Sequence, residues 1–174
     1  MSAKSRRPHL VVFGGLPGVG KTTLSRSVAD RLGAVWLRVD AVEVAMLRSG
    51  NSPGEPVGIG AYSALEAIAG ANLELGNTVV IDAVNPVEPV RRMWRDLADR
   101  VRAVLSVVEI TCSDSDEHQR RVERRQADIE GHKLPRWDDV LRHEYEPWTE
   151  ERLTVDAAAQ GGTVVDEILR YLDR

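Results

Sequence analysis

Gly15-Leu16-Pro17-Gly18-Val19-Gly20-Lys21-Thr22 is the stretch whose reading decides the fold. It fits Gly-x-x-x-x-Gly-Lys-Ser/Thr without a mismatch. Before it runs a short apolar segment, Leu10, Val11, Val12 and Phe13, and after it Leu24, Val28 and Leu32 recur every four residues. A buried strand, a glycine-rich turn and an amphipathic helix are therefore expected in that order, which is the context a phosphate-binding loop (P-loop) requires. Glycines at 15, 18 and 20 let main-chain N–H groups turn inward around phosphate oxygens, and the helix N-terminus near Lys21 adds a favourable dipole. Pro17, Val19 and Thr23 lie along the same cradle. Lys21 is expected to reach the β and γ phosphates, and the Thr22 hydroxyl to ligate Mg²⁺.

Outward from this loop, strands alternate with helices. Residues 34–39 read as a second strand with Asp40 at its carboxyl end, and residues 49–60 hold so many breakers that a loop is expected there. Tyr62, Leu65, Ile68 and Ala69 restore helical spacing, and residues 78–82 form a third apolar strand. Pro86 and Pro89 open a helix with Val90, Trp94, Leu97 and Val101 on its apolar side. Residues 103–112 are a Val- and Ile-rich fourth strand ending at Cys112, expected as a small buried residue; residues 113–117 look like a helix start. A strand at 153–156 and a helix carrying Val165, Ile168, Leu169 and Leu172 close the chain, with Thr163 and Asp166 as a capping pair. Such alternation predicts an α/β fold: a parallel sheet covered by helices on both faces, with ligands beyond the carboxyl ends of the strands.

The chain has 174 residues, enough for one domain with a real core and too few for two. A single domain over 1–174 is expected, with a basic tail at 1–8. A net charge of -4 gives no global attraction toward nucleic acid or an anionic membrane, although a local basic patch stays open. Cys112 is the single cysteine, which excludes an intrachain disulfide and suits a reducing cytoplasm. The N-terminus lacks the apolar segment of a signal peptide and no run approaches a membrane span, so a soluble, cytoplasmic protein is expected, as a monomer or homodimer.

The reaction has to be read from the other polar residues. No Asn-Lys-x-Asp or Thr-Lys-x-Asp sequence is present, and Asp82 is followed by Ala83-Val84-Asn85 where a GTPase switch has Asp-x-x-Gly. Ala83 also stands where many motor ATPases place a water-polarising Glu. Asp40 can take a proton from an acceptor hydroxyl or cap the following helix, and position alone leaves both open. Asp82 can hold Mg²⁺ from a Walker-B-like position or end a strand in a turn. Arg120, Arg121, Arg124 and Arg125 suit charge developing on a transferred phosphoryl group, or a solvated helix balanced by Glu117, Glu123 and Asp128. Trp137 and Trp148 suit stacking on a base or packing of this segment onto the body.

Residues 15–23, Val39-Asp40, residues 80–86 and the Arg-rich segment 120–125, in this order and spacing, resemble the small P-loop kinases often labelled AAA-domain ATP-binding proteins. That group includes gluconate kinase, shikimate kinase, chloramphenicol phosphotransferase, adenylylsulfate kinase and the kinase part of polynucleotide kinases. The resemblance implies a three-layer P-loop NTPase fold with a five-stranded parallel sheet in the order 2-3-1-4-5. It also implies a small helical lid near 114–147, and ATP with Mg²⁺. It further implies that Lys21 and Thr22 hold phosphates and metal, with Asp82 also at the metal, and that Asp40 is the base. Arg121 or Arg125 would be the lid arginine, Arg121 also touching nucleotide, and residues 156–160 would lie against adenine. Residues 39–42 come nearest the antibiotic phosphotransferase pattern, whereas residues 48–62 match no acceptor signature.

The expected function is transfer of the γ-phosphate of ATP to a hydroxyl of a small molecule. Acceptor contacts are expected from Asp40, Arg48, Glu55, Tyr62, Asn85, Arg91 and Arg92. The alternatives are a polynucleotide 5'-hydroxyl kinase, whose arginines would track a phosphate backbone, and an ATP-sensing module without turnover.

Overall fold

The computed structural model describes residues 7–51, 55–158 and 163–174. Most of the expected basic tail, the side chains of Glu55 and Thr163, and Gln160 in the expected adenine loop lie outside the described residues. Five strands, β1 (His9–Gly14), β2 (Val35–Arg38), β3 (Thr78–Asp82), β4 (Val104–Thr111) and β5 (Leu153–Asp156), form one sheet in the order β2-β3-β1-β4-β5. Every neighbouring pair is parallel. The register sets Phe13 beside Asp82, and Asp82 beside Arg38, so the carboxyl ends of three strands finish at one level.

Side-chain alternation along β1 sorts the core into two layers. Leu10 and Val12 face one way with Val79 and Ile81, packed by Ala61, Leu65, Ala69 and Leu73 of α3 (Glu55–Glu74) and Trp94 and Leu97 of α4 (Glu88–Val101). Val11 and Phe13 face the other way with Val80, Val108, Ile110 and Val155, packed by Val28 and Ala29 of α1 (Lys21–Leu32) and Ile168 of α7 (Thr163–Leu172). A sheet apolar on both faces needs helices on both, and the three-layer architecture follows. The expected fold class and strand order are both present.

Three expectations about local structure are corrected. β2 stops at Arg38, and Asp40 lies in the first turn of α2 (Val39–Arg48), where a carboxylate meets the positive end of the helix without being its cap; Arg38 is the N-cap. The loop expected at 49–60 is shorter, because α3 begins at Glu55 and runs through Gly58 and Gly60. Pro56 at the second helical position costs no hydrogen bond. A Cβ at Gly60 would come 2.7 Å from the Met46 methyl, so the glycine serves close packing of α2 on α3. Cys112, expected buried, is partly exposed just after β4.

α5 (Ser115–Arg124) starts where the sequence indicates, with Asp114 capping the Glu117 N–H at 2.9 Å. It leads through an irregular segment to the short α6 (Trp137–Leu141). Arg91 then fixes the return of the chain. Its buried guanidinium donates to the carbonyls of Asn85, Pro86, Glu146 and Pro147 and stacks 4.0 Å from the centre of the Trp148 ring. No described helix is long and apolar enough to cross a membrane.

Candidate active site

The loop between β1 and α1 is held open by strain only glycine tolerates. Gly15 has φ 134°, and a Cβ there would lie 2.2 Å from the Ile110 carbonyl oxygen; Gly18 has φ 84°, and a Cβ would meet Val122 at 2.4 Å. α5 therefore packs directly on the loop, and His118 donates from Nε2 to the Pro17 carbonyl at 2.8 Å. Beside the loop lies a cavity of about 390 Å³, lined by Gly18, Gly20, Lys21, Thr22, Arg121 and Arg125 among others. Its open side is where a polyphosphate chain would run along the main chain.

At the strand ends a second cavity of about 70 Å³ brings together Lys21, Thr22, Asp40, Asp82, Arg125 and His132. These residues come from three helices or strands and from the segment after α5. Lys21 is buried, and Nζ donates to the Leu16 carbonyl at 2.8 Å. Burial lowers its pKa to about 8, although Asp82 and Asp40 pull the other way. Asp82 is also buried, which raises its pKa against the pull of Lys21 and a hydrogen bond from Thr22. Among the described residues Asp82 Oδ2 accepts no hydrogen bond, and Arg38 Nε lies 3.5 Å from it. An oxygen-seeking divalent cation fits this pair, with the Thr22 hydroxyl and the Asp82 carboxylate on its protein side.

Arg38, which sequence reasoning missed, organises the carboxylates. Its buried guanidinium lies 3.5 Å from Asp82, 3.3 Å from Asp40 and 2.6 Å from Asp128. Burial works against its charge, yet these three carboxylates together raise its pKa above the ordinary value. Asp128 lies 90 positions downstream of Arg38 in sequence, so no local pattern announces the pairing. His132 was missed for a similar reason: its Nδ1 is buried at the wall of the smaller cavity with no hydrogen-bond partner among the described residues, but the surrounding sequence reads as surface.

The expected arginines separate. Arg121 points its fork at protein, donating to the Ala157 carbonyl at 2.9 Å and Glu117 at 2.7 Å, with the Val19 carbonyl 3.5 Å away. Arg125 has left the helix, lines both cavities, and its charge acts on Lys21. Arg120 is exposed and paired with Glu117.

Of the expected acceptor residues, Asp40 lines the smaller cavity, Tyr62 feels the charges of Asp40 and Asp82 without lining it, and four others are engaged elsewhere. Asn85 is fully buried with φ 53° and spends its groups on Tyr62, Phe13 and Trp94. Arg48 binds the Glu130 carbonyl, and the exposed Arg92 faces Glu88 at 3.6 Å. Arg91 is the staple described above. Trp137 packs edge-on against His118, and Trp148 packs under Gly14. Asp156, in the expected adenine loop, receives hydrogen bonds from Ser113 and Ala158.

The AAA domain family matches residues 10–146. An uncharacterized protein of Mycobacterium tuberculosis is 34% identical over 116 residues, which cover 60% of this chain and 23% of that protein. The chain thus corresponds to about a quarter of that relative's length. Among solved structures, a candidate kinase from Chloroflexus aurantiacus superposes with a TM-score of 0.77 at 23% identity, covering 97% of each chain. The APS kinase CysC of Mycobacterium tuberculosis, in complex with AMPPNP and APS, superposes with a TM-score of 0.73 at 17% identity, covering 97% of this chain and 99% of that one. The matched segment spans the P-loop, Asp40, Asp82 and the arginine segment, and the chain belongs to the AAA domain family with the fold of the small P-loop kinases.

Proposed function

We propose that this chain transfers the γ-phosphoryl group of ATP to a hydroxyl of a small molecule. The observation that carries the reading is the presence of Asp40 in the same small cavity as Lys21, Thr22, Asp82 and Arg125. A hydroxyl placed there would be within reach of a carboxylate on one side and of phosphate-holding cations on the other. The acceptor oxygen forms a bond to Pγ, its proton passes to Asp40, and the bond from Pγ to the bridging oxygen breaks to release ADP. Lys21 and Arg125 neutralise charge on the transferred group, and Arg125 is preferred to Arg121 because the latter's donors are spent on main chain and Glu117. Mg²⁺ arriving with the nucleotide, held through Thr22 and Asp82, would supply further charge neutralisation.

Lys21→Ala is expected to abolish turnover. Asp40→Asn is expected to lose transfer by about 100-fold or more, the usual contribution of a positioned base, while ATP affinity measured by calorimetry stays within about twofold. Full transfer by Asp40→Asn would remove the base assignment. Phosphorylation of oligonucleotide 5' ends with steep salt dependence would point to the polynucleotide reading, and ATP binding with no transfer to any alcohol to the sensing module.

A further inference from the structure

A third cavity of about 640 Å³ lies between the start of α3 and the start of α4, and nothing in the reaction described so far uses it. Its apolar lining is Ile59, Pro86, Val87, Pro89, Val90 and Met93, joined by Tyr62, His143 and Glu144. Two of its lining residues feel the charges of the reaction centre. Tyr62 lies in the field of Glu43, Asp40 and Asp82, and its hydroxyl accepts from the Asn85 N–H at 3.1 Å. His143 lies in the field of Lys21. The volume falls in the range of small-molecule pockets, about 300–1,000 Å³. Ile59 stays 60% exposed at this wall, an apolar surface that folding leaves without a partner.

The charged group in the described lining of the cavity is a carboxylate. That lining includes no Lys or Arg; Glu144 lines the cavity directly. Glu43, one helical turn after Asp40, rests its carboxylate about 3.5 Å from where a Cβ on the lining residue Gly58 would lie. Among the described residues Glu43 makes no ion pair; Arg91 is held by four carbonyls and Arg48 by the Glu130 carbonyl, while Arg92, outside the lining, is exposed and 3.6 Å from Glu88. A phosphate or carboxylate on the acceptor would meet Glu144 and no cation of the described lining there.

We infer that the phosphate acceptor is an alcohol whose apolar body fills this cavity and which carries an ammonium group or no charge, never a negative one. This rests on the kinase reading for the word acceptor, and on the cavity alone for the chemistry of what binds.

Three aryl alcohols of one skeleton isolate the charge: 2-amino-1-phenylethanol, 1-phenyl-1,2-ethanediol and mandelate, with glucose as an alcohol lacking the apolar body. Their binding to the protein loaded with a non-hydrolysable ATP analogue is measured by calorimetry, and transfer from γ-labelled ATP is scored separately. The amine and the diol should each bind at least about tenfold more tightly than mandelate and glucose, and Glu43→Gln should weaken the amine more than the diol. Val90→Asp should weaken all three aryl compounds while ATP affinity, which also reports that the variant is folded, is unchanged. Mandelate or glucose binding as tightly as the amine, or no binding by any aryl compound, overturns the inference. Binding in the expected order without phosphate transfer upholds the cavity's chemistry and removes the kinase reading instead.

Discussion

At Lys21 the ammonium sits where water solvates it poorly, and burial brings its pKa down to about 8 in spite of Asp82 and Asp40. Folding lowers this pKa from 10.5, so between those values the unfolded chain holds the proton that the folded chain has released, and this group's contribution to stability rises with pH. A polyphosphate has the opposite preference and favours the protonated form. ATP affinity should therefore fall as pH rises through about 8, and binding near that pH should take up a proton. Calorimetry in buffers of different ionisation enthalpy measures both; uptake absent in wild type, or unchanged in Lys21→Met, would place the proton elsewhere. At this scale the sequence was readable wherever one motif carries the geometry, as it does at Gly15, Gly18 and Lys21. It was unreadable at Arg38 and His132, whose surroundings come from segments far apart in the chain.

Among the elements, the ones with a change of period were legible: β1 into α1, and α4 with Trp94 and Leu97 on its apolar side. α3 shows the limit. Pro56, Gly58 and Gly60 have the composition of a loop, yet α3 runs through them, with Met46 of α2 against Gly60 and Glu43 against Gly58. Local propensity cannot report a neighbour that arrives from another element. Asp40 was likewise placed one element too early, because an apolar strand running into Val39 looks continuous until the helix turns it. Arg91, expected at the acceptor, instead locks residues 146–148 to the start of α4. Arg91→Ala should cost about 3 kcal/mol or more in urea denaturation, because each buried carbonyl left unpaired costs about 1–3 kcal/mol. Hydrogen exchange at residues 145–149 should accelerate more than in β1. Uniform acceleration would mean the staple is not local.

Taken whole, the molecule sets the 390 Å³ cavity beside the P-loop next to the charged 70 Å³ cavity, the two sharing Lys21, Thr22 and Arg125. Asp40 belongs to the β2–α2 side and Asp128 to the segment after α5 that lines the 390 Å³ cavity, and a single guanidinium, Arg38, holds both. One cation held by Asp82 and divided between Asp40 and Asp128 is a balance. Under the proposed reaction an alcohol that engages Asp40 would leave Arg38 to Asp128, and a nucleotide that displaces Asp128 would return Arg38 to Asp40. Thermodynamic linkage then requires that whatever factor one ligand imposes on the affinity of the other be repaid in equal measure. Titrating each ligand in the absence and presence of its companion should yield one shared factor, and replacing Arg38 by Met should bring that factor to unity.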